Sequence, residues 1–384
     1  VISKLSIGHF KAIASATIPL GPITVLVGPN DSGKSTILQS LMALSRCADP
    51  ARFDAEQLLE CPSSVAATQG DMQTDIEISA EGTVTGTAAA PPAHSYRYGV
   101  TLSSRSNAVS GEEALWDGAP LLSTTPSMTA IVDGESRWEY PRGGGVTELS
   151  GFVSHSKPGP NATTQVHFGA IADELRSTML RLDARAIARG APLGAPVLPD
   201  GSGVVGIVDD LLTSGVGDEQ IERVNEVLRA LSPHVQKVGA KRHPASGGKE
   251  LQFALQGGAV VPASQMSDGI VLASGLVLIS LWAGNHRLLI EEPENGLHPR
   301  QLKVVADAIR SIAEDQGAQV ILTTHSPLLL NHFAAEEVLL VTRGRSGVHV
   351  QRMSDAQGLD ELASEMALGE LWYNVGDSNL ARPA

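Results

Sequence analysis

The rhythm of apolar and polar positions changes several times along the chain. Residues 2–20 (ISKLSIGHFKAIASATIPL) alternate with period two, as in two short strands joined at Phe10-Lys11, before Gly21-Pro22 turns the chain. Ile23 to Val27 is an unbroken apolar run, short enough for a strand buried on both faces. The spacing then becomes helical, with Ile37, Leu38, Leu41, Met42 and Leu44 on one broad face. No rhythm holds from Asp49 to Ser64. Residues 73–80 and 96–103 alternate strictly on either side of the Thr/Ala/Pro-rich stretch Gly82 to Ala93. Strand-like pieces at 112–117 and 130–140 follow, with Asp133-Gly134 as a hairpin turn, and together these predict an antiparallel meander.

Residues 141–160, rich in Gly, Ser and Pro, read as a loop or linker. Helices are predicted over 170–189 and 219–231, with a turn at Asp200-Gly201-Ser202-Gly203 between them. Arg181, Arg185 and Arg189 fall four apart; the preferred reading is a solvated face paired with Asp173, Glu174 and Asp183, over a nucleic-acid or acidic-partner contact. From residue 251 strands and helices alternate: strand 251–255, helix 269–282, strand 287–291, helix 298–315, strand 319–324, helix 327–332, strand 338–342. Such alternation implies a mostly parallel sheet. The expected division is an N-terminal lobe with the meander (1–105), an insertion of hairpins, linker and helical arm (106–250), and a C-terminal lobe (251–384).

Composition narrows the options. A net charge of −14 argues against a surface that is basic all over, so any DNA contact would need a local patch or a partner. The two cysteines, Cys47 and Cys61, have no metal-ligand spacing, and no secretory leader pattern opens the sequence; a reduced, cytoplasmic protein is expected. No apolar run approaches the ~20 residues a bilayer span needs. The stretch Ile270 to Trp282, broken by Ser274, Gly275 and Ser280, reads instead as a buried helix.

The chemistry is concentrated at four places. Gly28-Pro29-Asn30-Asp31-Ser32-Gly33-Lys34-Ser35-Thr36 fits G-x-x-x-x-G-K-[ST] between an apolar run and a helical pattern. Glycines let backbone N–H groups turn inward around phosphate oxygens, and the helix start adds partial positive charge. Lys34 would reach the β- and γ-phosphates, and the Ser35 hydroxyl would ligate Mg²⁺. Arg287 to Glu294 (RLLIEEPE) is an apolar strand ending in acids: Glu291 is assigned to Mg²⁺ and Glu292 to polarising the attacking water, with Glu294 structural or a helper at a dimer face. His325, in Thr323-Thr324-His325-Ser326-Pro327, is placed to sense a γ-phosphate. Ser267 and Gly269 form a second anion-binding helix start, with Asp268 as a cap; its use on a partner's nucleotide predicts a head-to-tail dimer closing over two ATP molecules.

GPNDSGKST, SDG, LLIEEPENGLHP and TTHSP together resemble the ABC-type ATPases of the SMC/RecF group, and most closely the AAA family ATPases related to the ATPase domain of OLD-family nucleases. The resemblance covers 1–46 and about 250–345, and more loosely the arm and the tail GELWYNVGD. It implies a split ABC-type head on a P-loop NTPase fold with a mixed or parallel sheet. It also implies ATP and Mg²⁺ as cofactors and a homodimer with ATP sandwiched between subunits. Ser267-Asp268-Gly269 then stands for a signature acting in trans, Asn295 to Pro299 for the D-loop, His325 for the switch histidine, and Lys11 for a basic residue touching nucleotide. Glu291 stands where many relatives carry Asp, the L-S-G-G-Q of transporters is missing, and Gln57 and Gln73 are the candidates for a Q-loop. No D-x-D pattern of a Toprim domain occurs, so nuclease output is expected on a separate effector. The resulting expectation is an ATP-hydrolysing machine acting on DNA or an anti-phage effector; the alternative is a nucleotide-gated module using slow hydrolysis as a timer. A membrane transporter ATPase fits the signature poorly.

Overall fold

The alternation of residues 2–20 folds as a hairpin: in the computed structural model, β1 (Ile2–Phe10) and β2 (Ile13–Pro19) pair antiparallel. The structure describes residues 1–49, 74–84, 93–103, 108–125, 127–133, 136–141, 147–153, 162–192, 194–213, 218–242, 248–283, 287–315, 317–344, 347–356 and 366–380. Gln57, Gln73, Cys61 and the Gly134 turn position lie outside them. In chain order there follow β3 (Ile23–Val27), α1 (Lys34–Ala48), β4 (Ile76–Val84), β5 (His94–Ser103), β6 (Ala108–Trp116), β7 (Ala119–Thr124), β8 (Met128–Asp133) and β9 (Ser136–Pro141). Next come α2 (Glu148–Val153), α3 (Ala162–Leu175), β10 (Ser177–Leu180), α4 (Ala184–Ala188), α5 (Val204–Thr213), α6 (Asp218–Leu231), β11 (Val235–Arg242), β12 (Lys249–Leu255) and β13 (Val260–Pro262). The last elements used here are α7 (Asp268–Ala283), β14 (Arg287–Glu291), α8 (Leu302–Asp315), β15 (Val320–Thr323), α9 (Pro327–Leu330), β16 (Val338–Gly344), β17 (Gly347–Arg352) and α10 (Leu368–Val375).

Two compact units emerge, both assembled from discontinuous pieces: Val1–Ser177 with Leu339–Gln357 and Asp377–Ala384, and Thr178–Val338 with Gly358–Gly376. The first unit contains the predicted meander, extended into an eight-stranded antiparallel sheet in the order β2-β1-β4-β5-β6-β7-β8-β9. Its inner face (Leu5, Ile7, Ile76, Ile78, Tyr98, Val100) is buried, and α1 packs on β1 and β4 with Ile37, Leu38, Leu41 and Leu44 buried. Burying each such side chain contributes roughly 1.5–3 kcal/mol, which makes the period-two and period-3.6 patterns decisive here. In the same unit β3, buried at every position, lies beside β16, which pairs antiparallel with β17.

The second unit holds β10, β14 and β15 in that order, with β14 and β15 parallel as expected. Helix α7 is buried nearly all round, from Ile270 to Ile279, which explains its apolar run without a membrane. Among the described residues no helix is long and apolar enough to cross a bilayer.

Several expectations change. The linker at 141–160 contains α2, whose Leu149 and Phe152 are fully buried. The helix predicted over 170–189 is a helix, a strand and a short helix (α3, β10, α4), because β10 is taken up beside β14. The strand at 251–255 belongs to β12, which pairs antiparallel with β11 and β13 in its own three-stranded sheet rather than joining a parallel one. No element is predicted at β7, β11, β17 or α5, although Val204, Val205, Ile207 and Val208 of α5 are buried at helical spacing.

Candidate functional site

The phosphate-loop sequence is built in the first unit as a turn that requires its glycines. Gly28 has φ 143, and a Cβ there would lie 2.0 Å from the Val341 carbonyl oxygen on β16. Asp31 (φ 61) and Gly33 (φ 109) also take left-handed backbone, so the chain coils before α1 begins. Gly33 is the N-cap of α1 and no side chain caps the helix. The first intrahelical bond runs from Ile37 N–H to Gly33 O at 3.0 Å, so the positive end of the helix dipole faces the turn.

Lys34 Nζ is folded onto this turn, donating to the Gly28 and Pro29 carbonyls at 2.8 and 2.7 Å. Ser32 Oγ is buried without a hydrogen-bond partner, while Ser35 and Asn30 are exposed. An uncapped helix start, a buried orphan hydroxyl and a buried lysine fit a polyphosphate chain. Lys11, itself at φ 50, donates to Gln39 Oε1 of α1 at 2.8 Å, so it is tied to the second turn of the phosphate-loop helix.

The acids sit in the second unit, where β14 ends. Three buried leucine and isoleucine positions (Leu288, Leu289, Ile290) carry the strand into the core, and Glu291 and Glu292 follow as it leaves. Glu292 adopts φ 47, a strained conformation for a residue with a Cβ, and its N–H is held by the Thr323 carbonyl at 3.0 Å. That kink turns its carboxylate toward Asn295, whose Nδ2 donates to Glu292 Oε2 at 2.7 Å, and toward His325, whose Nε2 is 3.7 Å from Glu292 Oε1. The structure therefore gathers Glu292, Asn295 and His325.

Glu294 has a structural part in this arrangement. One of its oxygens, Oε1, accepts from Thr324 Oγ1 and from the His325 N–H, both at 2.8 Å; the other, Oε2, is buried with no hydrogen-bond partner. It thus fixes the backbone that carries His325. Ser326 Oγ then caps α9 by accepting from Leu329 N–H at 3.2 Å.

Ser267 is exposed ahead of α7, and its carbonyl accepts from Ile270 and Val271 N–H. Gly269 is packed against the D-loop segment, where a Cβ would approach the Gly296 carbonyl to 3.1 Å and Gln301 Oε1 to 2.9 Å. Asp268 is the first residue of α7. Gly269 therefore packs on the 296–301 segment within this unit.

Glu291 has a partner that the periodicity concealed. Arg181, read from sequence as part of a salt-bridged helix face, lies in the connector after β10, with its Nε 3.8 Å from Glu291 Oε2. Asp183 meanwhile caps α4 through Ala186 N–H at 2.8 Å. The only signal for Arg181 in the sequence was its charge; the strand pairing that brings it to Glu291 is tertiary. Among the described residues no group of three or more His, Cys, Asp or Glu is arranged to hold a metal. Mg²⁺ does not require one, because it commonly takes one or two protein oxygens with phosphate and water completing the octahedron.

A mixed α/β fold with a glycine-turned loop feeding an uncapped helix, and a strand-end acid pair beside a histidine, defines the class: a P-loop NTPase with the fold of SMC head domains. The chain matches a head domain bound to the C-terminal winged-helix domain of ScpA with TM-score 0.57 and 16% identity, covering 91% of this chain and 97% of that one. A second head domain, with an extended coiled coil and the ScpA C-terminal domain from Pyrococcus furiosus, matches with TM-score 0.56 and 15% identity over 95% and 99% of the two chains. Residues 23–331 match the family described as "AAA domain, putative AbiEii toxin, Type IV TA system", and the chain belongs to that family. It is also 39% identical over 41 residues to the OLD nuclease of Thermus scotoductus, a match that spans 11% of this chain and 8% of the nuclease.

Proposed function

We propose that the protein binds and hydrolyses ATP with Mg²⁺, the phosphate loop (Gly28 to Thr36) holding the polyphosphate and Lys34 neutralising its terminal groups. The observation that carries this reading is the start of α1: a left-handed Gly33 N-cap with no side-chain cap, beside the buried orphan hydroxyl of Ser32. Mg²⁺, when bound, supplies charge neutralisation at the phosphates, with Ser35 and Glu291 as its protein ligands. Glu292 accepts a proton from the attacking water, and its strained backbone with the Asn295 hydrogen bond keeps the carboxylate in one orientation. His325, held at its backbone by Glu294, hydrogen-bonds the γ-phosphate.

Lys11 and the trans pair Ser267 and Gly269 complete the nucleotide contacts in a homodimer that closes on ATP. Membership of the AAA family and the SMC-head fold support the ATPase assignment. The solved heads carry a bound partner domain, and the family description names a putative toxin; both support an ATPase that drives or gates a separate effector, in cytoplasmic DNA metabolism or anti-phage defence.

Steady-state hydrolysis, with and without single-stranded and duplex DNA at fixed salt, tests the reading. In Glu292→Gln, ATP binding should persist while turnover falls by about 10²–10⁴-fold, the usual range for losing a general base. Unchanged turnover removes the assignment of Glu292.

A further inference from the structure

Arg181 sits where nothing in the sequence motifs places a cation. Its side chain is 79% exposed, yet its Nε lies 3.8 Å from Glu291 Oε2, on a carboxylate that is only 13% exposed. The position is not that of a wandering surface side chain, because the backbone beneath it is anchored on three sides. Arg181 N–H donates to the Pro199 carbonyl at 2.8 Å and Asp183 N–H to the Asp200 carbonyl at 3.0 Å. Leu182 lines one pocket with Leu272, Leu276, Ile290 and the two acids. On the next turn, Ile187 of α4 sits so close to Gly275 of α7 that a Cβ there would lie 2.7 Å from its Cδ1. The connector from β10 to α4 is thus wedged between the acid strand and the helix that follows Ser267.

Each acid at the end of β14 has its own neighbour: the His325 ring lies near Glu292 and the Arg181 guanidinium near Glu291. The guanidinium approaches at a distance too long for a hydrogen bond, so it contributes field rather than a directional clamp. A divalent cation arriving at Glu291 must compete with that charge. We propose that Arg181 is a positioning residue that gates the metal: its charge offsets that of the Glu291 carboxylate until a divalent cation takes its place. This rests on the assignment of Glu291 to Mg²⁺ made above.

The test is binding of a fluorescent trinitrophenyl-ATP as MgCl₂ is titrated, which reads metal capture without turnover. Removing one positive charge a few ångströms from the metal position, in a largely solvated setting, should lower the Mg²⁺ concentration at half-saturation by about three- to tenfold in Arg181→Ala. Arg181→Lys, which restores the charge, should return it to the wild-type value, and in a Glu291→Gln background the effect of Arg181→Ala should vanish. An unchanged half-saturation in Arg181→Ala overturns the inference. So does weaker nucleotide binding at every Mg²⁺ concentration, which would make Arg181 a phosphate ligand. If the wild-type protein binds no nucleotide at any Mg²⁺ concentration, the proposed function falls and takes this inference with it. Mg²⁺-dependent wild-type binding with an indifferent Arg181→Ala defeats the inference alone.

Discussion

At the scale of single residues, the motif spellings are explained by contacts that admit no other side chain. Gly28 is the clearest case, since both its φ of 143 and the Val341 carbonyl behind it exclude a Cβ. Gly28→Ala should therefore destabilise the first unit by about 2 kcal/mol or more, read as a lower urea midpoint at unchanged slope, along with lost nucleotide binding. A midpoint equal to wild type would mean that β16 yields at no cost. Glu292 is the opposite case: a residue with a Cβ kept in left-handed backbone, at the position assigned to the chemistry. The motif names both residues, but only coordinates reveal that one is sterically obliged and the other strained. Glu294 shows the limit of motif reading, because its hydrogen bonds to Thr324 and His325 join strands thirty residues apart.

At the scale of elements, legibility tracked how much of an element's burial its own sequence repeats. Helix α1 and strands β1 and β2 announce themselves because one face meets the core at every period. Helix α2 reads as linker because it is only six residues long among Gly, Ser and Pro, and besides burying Leu149 and Phe152 it supplies N–H donors to a buried acid. The Glu112 carboxylate of β6 accepts from Glu148 and Leu149 N–H at 2.7 and 2.9 Å and from Tyr98 OH at 2.9 Å. Nearby, Thr147 Oγ1 donates to the Cys47 carbonyl at 2.6 Å, which ties the same junction to the end of α1.

Burial, the largest influence, pushes the Glu112 carboxyl above its ordinary value of 4.5, although the three donors pull it down. Folding therefore favours the protonated acid. That stabilisation is complete below the unfolded-state value and is lost as pH rises through the folded-state one. The stability of Glu112→Gln relative to wild type should accordingly improve as pH rises over the range above the ordinary carboxylate value. A difference that stays constant over that range would show that the carboxyl is not shifted.

At the scale of the whole molecule, the phosphate loop belongs to one compact unit and the acids, signature and histidine to the other. A homodimer sharing its sites makes a sharp demand. Mixing Ser267→Arg chains with Lys34→Ala chains should restore at most one working site per dimer, so activity should reappear at no more than about half of wild type while each variant alone is inactive. Full activity in either variant by itself refutes the shared site. The timer reading predicts instead a turnover too slow to respond to DNA or a protein partner.

Local chemistry determined what a single stretch can encode by itself: a glycine-turned loop before a helix, acids at the end of a buried strand, a histidine after the next one, and a meander of alternating strands. Tertiary structure alone decided which strands became neighbours. The pairing that places β10 beside β14, turns β12 into a sheet of its own and seats Arg181 against Glu291 depends on contacts far apart in the chain. Period and propensity carry no information about such partners, because a strand's pattern records which face is buried but not what lies along its edge.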